Sequence, residues 1–332
     1  MRASDARPCA GQAVSGTPHL LPGISAVVPV YRSEATLPLL LPRLTAALEL
    51  VAPAHEIILI DDGSPDRCWE VIVAASAADP RIRGIRLMRN FGQHNALLVG
   101  IREARHGYIV TLDDDLQNPP EEIARLVAHL GDDVDVVYGT PAVEQHGIWR
   151  SVASRMTKYA LQEAMGAQAA RSVSAFRVFR AELRRAFERY QSPHISVDVL
   201  LTWATTKFAS VPVRQDPRAA GDSGYTLRRL IQHATNMMTG FTSRPLRIAS
   251  LVGFLFTVFG LLIAGFVVIR FLVAGTTVPG FTFLASIISI FSGVQLLILG
   301  IMGEYLARMH FRLMERPTYV IAATTDPGEP RP

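Results

Sequence analysis

The first 140 residues alternate short apolar runs with longer segments of helical spacing. The runs are, in chain order, ISAVVPV, EIILI, IRGIRL, YIVTL and VDVVYG. The first four are each followed by a segment whose apolar residues recur every three or four positions, as in LPLLLPRLTAALEL. Strands that are apolar throughout and alternate with helices are typical of a mostly parallel sheet covered on both faces. The pattern therefore predicts the α/β class.

The pattern changes after the fifth run. Residues 142–240 lose the regular alternation and carry several helical segments rich in arginine. Two uncharged stretches follow, 248–269 and 271–303, and each is long enough for a helix that crosses a bilayer. Two such stretches joined by the short turn AGTTVPG favour a membrane hairpin over buried core helices. We predict a disordered lead-in over 1–22, an α/β domain over 23–240 with interfacial helices in 142–240, two membrane helices within 246–305, and a cytoplasmic tail over 306–332.

Charged residues around the two stretches predict their orientation. Only one basic residue lies between them, whereas five flank them on the outside (Arg270 between; Arg244, Arg247, Arg308, Arg312 and Arg316 outside). Since basic flanks favour the cytoplasmic side, we expect the α/β domain and both termini in the cytoplasm, in a multi-pass protein of the inner membrane. The lead-in has no apolar run of signal-peptide length.

The composition of the chain limits the classes of binding partner that can be expected. The net charge of +4 is compatible with a nucleic acid, an anionic membrane surface or an anionic substrate. With two membrane stretches present, we expect the membrane and an anionic substrate, and no nucleic acid. Cys9 and Cys68 are the only cysteines and form no metal-ligand spacing, so neither structural zinc nor a disulfide framework is expected.

Acidic side chains follow three of the predicted strands. In parallel α/β sheets, ligands bind outside the carboxyl ends of the strands. Glu34 lies just beyond the first run, and the second and fourth runs end in Asp61 and Asp62 and in Asp113, Asp114 and Asp115. Five aspartates on one edge predict a site for a hard cation or for ribose hydroxyls. For Asp62, and for Asp66 just beyond it, helix capping or turn formation is an equally good explanation.

The oxygen chemistry of this edge indicates which cofactor it takes. Carboxylate and amide oxygens favour Mg²⁺ or Mn²⁺ over zinc, and Mg²⁺ binds largely through substrate phosphates. A metal bound together with a diphosphate is therefore expected. The chain contains no GxxxxGK[ST] and no GxGxxG after the first strand, which disfavours P-loop nucleotide hydrolases and dinucleotide oxidoreductases.

The segments VVPVYRSE, LIDDGSPD and NFGQHNALLVGIREARHGYIVTLDDDLQNPPEE resemble the family 2 glycosyltransferases of GT-A fold. Within that family they are similar to the polyprenyl-phosphate sugar transferases, and the resemblance extends over about residues 24–320, including GIMGEYLARMH and ERPTYVI. It implies an inverting enzyme that moves a sugar from a nucleotide-sugar, expected to be a UDP-sugar, onto a polyprenyl phosphate. The transfer would take place at the cytoplasmic membrane face and serve cell-envelope glycan modification.

The resemblance also implies residue roles. The nucleotide-sugar would be bound by Pro29, Tyr31, Glu34, Asp61, Asp114 and His94, and the metal by Asp113, Asp115 and Gln117. Catalysis would depend on Asp113, Asp115, Arg150 and Arg155. The acceptor phosphate would be held by Arg150, Arg155, Lys158, Arg218 and Ser223. For His94 a helix-start hydrogen bond is the alternative, and for Arg150, Arg155 and Lys158 a solvated or membrane-facing basic helix.

Two positions depart from the family pattern. Relatives carry Ala where Asp114 stands, so the roles within 113–115 are open. They carry Lys where Gly224 stands, and Arg214 or Arg228 is expected to substitute for it. Two alternatives to the transferase are a processive polysaccharide synthase and a non-catalytic membrane scaffold. The chain lacks the Q-x-x-R-W motif of the first, and its intact acidic set argues against the second. A homo-oligomer is compatible with the resemblance.

Overall fold

A parallel four-stranded sheet forms the centre of the molecule. The structure is a computed structural model and describes residues 20–141, 173–191, 196–216, 244–274, 281–314 and 317–326. Strand β1 lies between β2 and β4, and β3 pairs with the outer side of β2, all in parallel. The four strands are β1 Ile24–Val30, β2 His55–Asp61, β3 Ile82–Leu87 and β4 Tyr108–Thr111.

Helices cover both faces of this sheet. Two apolar cores result, one beneath α1, α2 and α4 and the other beneath α3. Every residue of β1 and β2 is buried, which explains why their sequences are apolar almost throughout. The helices are α1 Leu37–Glu49, α2 Cys68–Ala78, α3 Gln93–Glu103 and α4 Ile123–Val127, the last preceded by a 3₁₀ turn over Pro120–Glu122. The predicted α/β class is confirmed.

The sheet continues beyond β4 with the predicted fifth strand and with two strands, RVFR and FASVPV, that the sequence pattern did not predict. Strand β6 is antiparallel to both β4 and β5, and β7 runs parallel to β5. Helix α5 and a 3₁₀ helix over Ala181–Phe187 pack on the α3 side. These elements are β5 Val136–Pro141, β6 Arg177–Arg180, α5 Val197–Ala204 and β7 Phe208–Val213. Residues 142–240, for which helices were expected, therefore also supply two strands.

Two long helices follow the domain. Helix α6 spans Arg244–Ala274 and α7 spans Phe281–Leu313. Their most apolar segments, 248–270 and 290–307, have mean hydropathies of 2.7 and 1.6, and Ala249 is the only buried residue among their described side chains. Each helix is long and apolar enough to cross a membrane. They pack on each other where the rings of Phe256 and Phe291 meet edge to face at 5.8 Å.

The segment after α7 returns to the sheet. Strand β8, Ile321–Thr324, pairs antiparallel with β3 and completes the order β7-β5-β6-β4-β1-β2-β3-β8. The Thr325 hydroxyl accepts a hydrogen bond from the Gly84 amide at 2.8 Å, and the Asp326 carboxylate lies 3.2 Å from Arg83 Nε. The predicted tail is thus partly a structural edge of the domain.

Candidate active site

Three loops meet at the carboxyl edge of the central strands. Because β1, β2 and β4 are parallel, the loops that follow them emerge on the same side of the sheet. The register places Val30 of β1 beside Asp61 of β2, and Val27 beside Thr111, the last residue of β4. The predicted nucleotide-sugar and metal residues on these three strands are therefore brought together.

The β1 loop has an unusual backbone. Arg32 has φ +59°, a left-handed conformation that costs a non-glycine residue about 1–3 kcal/mol. Its amide donates to Ser64 Oγ at 2.8 Å, which anchors it to the β2 loop. Tyr31 is 41% exposed and so is available to a ligand. Pro29, by contrast, is buried inside β1 opposite Ile60.

The acidic loop after β4 engages its carboxylates in separate directions. Asp113 Oδ1 accepts from Gln93 Nε2 at 2.6 Å, at the start of α3. Asp115 Oδ1 accepts from the Gln117 amide at 3.1 Å, while the Gln117 carbonyl accepts from the Asp216 amide at 2.9 Å. Leu116, between them, has φ +60°. A second strained non-glycine residue in this small region is typical of a functional site.

Asp114 faces the β1 loop. Its Oδ2 accepts hydrogen bonds from the Tyr31 amide, at 3.1 Å, and from the Ser33 hydroxyl. Burial raises the pKa of Asp114, and the bonds from Ser33 and Tyr31 lower it by less. The carboxylate thus joins the loops of β4 and β1.

Asp61 is fully buried at the end of β2. Its Oδ1 accepts from the Ser64 amide at 2.8 Å. Its Oδ2 is buried and lies 3.3 Å from Arg86 Nε, but this ion pair lacks the alignment of a hydrogen bond, and no other described residue donates to the atom. Burial raises the pKa of Asp61 more than the Ser64 amide and Arg86 lower it. Asp61 Oδ2 can therefore accept a further donor.

The two acids with an alternative explanation both shape loops. Asp62 accepts from the Phe91 amide at 2.7 Å and from the Gly92 amide at 2.8 Å, which fixes the entry to α3. Asp66 accepts from the Glu34 amide at 3.1 Å. Gly63 between these acids has φ +63°, and a side chain there would meet the Arg89 backbone, so this turn requires glycine. The contacts correspond to the turn-forming role.

Glu34 and His94 lie at the border of the site. Glu34 Oε2 accepts from the Arg67 amide at 3.2 Å, so this side chain also contacts the β2 loop. His94, in the first turn of α3, places Nδ1 3.5 Å from the Val197 amide at the start of α5. This contact matches the helix-start alternative for His94. The helix start that it contacts is that of α5, whereas His94 itself lies in α3.

A buried ionic cluster below the acidic loop was not predicted from the sequence. The Arg177 guanidinium pairs with Asp198, and its Nε donates to Thr111 Oγ1 at 3.0 Å. Tyr138 donates to Asp198 at 3.1 Å. Burial lowers the pKa of Arg177, but the nearby Asp198 carboxylate outweighs burial and the pKa is raised, so the guanidinium stays charged. The cluster ties β4, β5, β6 and α5 together at Thr111, two residues before Asp113.

Comparison with known proteins identifies the family. The model of Glycosyl transferase family 2 matches residues 25–190, half of the chain and all three site loops. The chain belongs to the family 2 glycosyltransferases.

Individual relatives extend this match beyond the domain. The chain is 36% identical over 312 residues to an undecaprenyl-phosphate 4-deoxy-4-formamido-L-arabinose transferase of Pseudomonas aeruginosa strain LESB58, covering 92% of this chain and 91% of that protein. A Yersinia pestis (strain Pestoides F) protein of the same name is 35% identical over 303 residues, 90% of this chain and 92% of that protein. A crystal structure of a mycobacterial protein superposes with a TM-score of 0.51 and 18% identity, over 67% of this chain and 74% of that chain, which supports the fold.

The acidic loop of this glycosyltransferase has the donor chemistry for a divalent metal that arrives with its substrate. No cluster of three or more His, Cys, Asp or Glu side chains able to enclose a metal occurs among the described residues. Asp113 and Asp115 instead offer two carboxylates on one short loop. Because Mg²⁺ is commonly held by one or two carboxylates and by substrate phosphates, this pair fits such a metal.

The predicted acceptor residues fall elsewhere. Arg150, Arg155, Lys158, Arg218 and Ser223 lie outside the residues that the structure describes, as do Gly224 and Arg228. Arg214, expected to compensate for Gly224, is described and pairs with Asp216 at 3.2 Å. Through the Asp216 amide this segment also contacts the acidic loop.

Proposed function

We propose that this glycosyltransferase moves a sugar from a UDP-sugar onto undecaprenyl phosphate, with inversion at the anomeric carbon, at the cytoplasmic face of the membrane. One observation carries the proposal. The relatives named for transfer to undecaprenyl phosphate match over 92% of the chain, a length that includes the site loops and both long apolar helices. The product would serve cell-envelope or lipopolysaccharide modification.

Asp61 supports a nucleotide donor with a ring N–H. Its buried Oδ2 receives no hydrogen bond from the described residues, and a buried carboxylate oxygen is stabilised by a donor. The imide N–H of uracil would supply one. Tyr31, Glu34 and His94 would border the nucleotide-sugar, and Pro29 would shape the strand beneath it.

Asp113 and Asp115, with Gln117, would hold Mg²⁺ or Mn²⁺. When bound, the metal would neutralise the diphosphate of the donor. No strong general base is required of the protein, because a phosphate oxygen of the acceptor is already anionic at neutral pH. That oxygen forms the new bond to the anomeric carbon as the bond from this carbon to the UDP oxygen breaks, and UDP leaves. Arg150, Arg155, Lys158, Arg218 and Ser223 would hold the acceptor phosphate.

The path of the chain supports the proposed orientation. The α/β domain precedes α6, and β8 follows α7, yet β8 pairs with β3 of the same domain. Both outer ends of the hairpin must then lie on the side of the domain. Together with the basic flanks, this favours a cytoplasmic catalytic domain and cytoplasmic termini. Such an enzyme holds its site at the surface where the lipid phosphate lies.

A transfer assay tests the proposal. Full-length protein in undecaprenyl-phosphate-containing liposomes would receive a panel of UDP-sugars with Mg²⁺ or Mn²⁺. UDP-4-deoxy-4-formamido-L-arabinose is the first candidate and UDP-glucose the second. We expect a labelled lipid product with one of them and release of UDP. Binding of UDP without transfer of any sugar would contradict the proposal and favour the non-catalytic scaffold. A growing polymer would favour the processive synthase.

A further inference from the structure

We propose that Asp114 is a positioning residue, whose carboxylate holds the β1 loop in the shape that the nucleotide requires, and that it is not a metal ligand. This inference rests on the proposed function, since it concerns how the same site binds the UDP-sugar. It assigns an indirect role to Asp114, the acid that stands where relatives carry Ala.

The β1 loop makes an unusual set of hydrogen bonds. Four consecutive backbone amides, those of residues 31–34, each donate to a side chain rather than to another strand. Three of these acceptors, Ser64, Cys68 and Asp66, belong to the β2 loop and the start of α2. The fourth is Asp114, on the far side of β1. The β1 loop is therefore held from both sides, by the β2 loop and the start of α2 on one side and by Asp114, which follows β4, on the other.

The conformation of the loop explains why it needs both attachments. Arg32 occupies the left-handed region, which a non-glycine residue keeps only where its surroundings enforce it. The residues on both sides of Arg32 are fixed by the same oxygen, because Asp114 Oδ2 accepts from the Tyr31 amide and from the Ser33 hydroxyl. Without that oxygen the turn loses its restraint on the β4 side. Tyr31, which is exposed toward a ligand, would then lose its position.

The orientation of Asp114 separates it from its neighbours. Asp113 is directed to Gln93 on α3, and Asp115 to the amide of Gln117 within its own loop. The Asp114 oxygen that faces β1 already has two donors, as expected of an acceptor that holds backbone in place. The pair Asp113 and Asp115 can thus serve the metal while Asp114 serves the loop.

Four variants test the inference: Asp114→Ala, Asp114→Asn, Ser33→Ala and the double variant Ser33→Ala with Asp114→Ala. The dissociation constant of UDP would be measured by calorimetry on full-length protein in detergent with saturating Mn²⁺. Donor KM, kcat and the Mn²⁺ concentration for half-maximal activity would be measured alongside. Losing two hydrogen bonds to a charged acceptor predicts about tenfold weaker UDP binding for Asp114→Ala. Donor KM should rise similarly, with kcat and metal dependence nearly unchanged.

The conservative variant separates positioning from metal binding. Asn keeps an acceptor oxygen, so Asp114→Asn should stay within about threefold of the wild type in UDP affinity. Ser33→Ala should have a smaller effect than Asp114→Ala. The double variant should bind UDP no more weakly than Asp114→Ala alone, because both changes remove the same contact.

Two results would overturn the inference. One is a rise of the half-maximal Mn²⁺ concentration in Asp114→Ala and Asp114→Asn alike, which would make Asp114 a metal ligand. The other is wild-type UDP affinity in Asp114→Ala, which would show that the contact between Asp114 and the β1 loop has no role in nucleotide binding. Should Asp114→Ala fail to fold, Asp114→Asn and Ser33→Ala still decide between the roles. Failure of the wild-type protein to bind UDP would instead contradict the proposed function.

Discussion

The two ends of the central sheet treat carboxylates in opposite ways. At the amino end, Glu56 accepts from Arg83 at 3.0 Å, and Asp326 pairs with both Arg83 and Arg105. At the carboxyl end, Asp62 accepts from two backbone amides, and Asp114 from an amide and a hydroxyl. One end neutralises its acids with guanidinium groups, whereas the other holds them mainly with uncharged donors.

This difference separates acids whose charge is cancelled by arginine from acids whose charge is not cancelled by a side-chain cation. A carboxylate paired with arginine has little remaining attraction for a cation. A carboxylate held by neutral donors keeps its charge, and several of them together produce a negative potential. Burial accordingly raises the pKa of Asp61, Asp62 and Asp114, because no cation compensates it fully. The proposed divalent metal would be attracted by this negative potential.

The largest expected effect concerns the paired acid that lies below the carboxyl end. Arg177→Met leaves Asp198 buried without its cation, and breaking one side of such a pair costs about 3–5 kcal/mol. We expect a corresponding loss in the free energy of unfolding of the detergent-solubilised protein, measured by denaturant titration. The double variant Arg177→Met with Asp198→Asn should recover part of this loss, since the uncompensated charge is gone. A double variant as unstable as the sum of the single changes would contradict a charge-based explanation.

The second effect is catalytic. Asp115→Asn removes one charge from the acidic loop, and losing electrostatic stabilisation of the diphosphate should lower the transfer rate about 10²–10³-fold. The free energy of unfolding should remain within about 0.5 kcal/mol of the wild type, because Asn keeps an oxygen that can accept from the Gln117 amide. Initial rates over a Mn²⁺ titration and a denaturant titration measure the two quantities.

A matched control for Asp115→Asn is Glu70→Gln. Glu70 is an exposed carboxylate on α2 whose partner is Arg67 at 2.7 Å. Its removal should change neither transfer nor metal dependence. Near-normal transfer by Asp115→Asn would remove this residue from the metal site.

The third effect concerns stability and a buried carboxylate at the amino end of the sheet. Glu56 accepts from Ser25 Oγ and the Arg105 amide, both at 2.7 Å, and from Arg83. Glu56→Gln weakens three hydrogen bonds to a buried charge and should cost about 2 kcal/mol in the free energy of unfolding. Donor KM and kcat of the folded fraction should not change. A change in KM at unchanged stability would show that the two ends are not separate.

The smallest effect tests whether pairing with arginine, rather than position at one end of the sheet, distinguishes the two kinds of carboxylate. Glu121 lies six residues beyond Asp115, yet it is bound by Arg43 at 2.8 Å, and this hydrogen bond lowers its pKa. A lowered carboxyl pKa contributes stability above the unfolded value of about 4.5, which is lost as pH falls through the folded value. Glu121→Gln should therefore cost about 0.5–1 kcal/mol at pH 7 and almost nothing near pH 3. An equal cost at both pH values would contradict the ion pair as its origin.

The sequence was sufficient for the parallel part of the fold. Strands β1 to β5 are short apolar runs bounded by polar turns, and the helical segments between the first five runs help to identify them. Strands β6 and β8, RVFR and IAAT, are four residues long and lack an alternating pattern, so no local signal distinguishes them. Both become strands through pairing with partners distant in sequence.

The candidate site likewise has features that the sequence predicts and features that it does not. That Asp113, Asp114 and Asp115 share an edge with Asp61 follows from parallel strands, and so could be predicted. The difference between Asp114 and its neighbours could not, because it depends on a contact with Tyr31, 83 residues earlier in the chain. Arg177 looked like one of many arginines, and only the fold shows that it is fully enclosed next to Asp198.

Strand β8 has a consequence for how the protein is made. Its residues are synthesised after both apolar helices, so the domain that emerges first has an unpaired edge at β3 until the hairpin has been completed. Exposed strand edges invite wrong partners. Under the proposed topology, a hairpin inserted with only one crossing would leave β8 across the bilayer from β3, and the sheet could not close. Closure of the sheet would then depend on correct insertion of both helices.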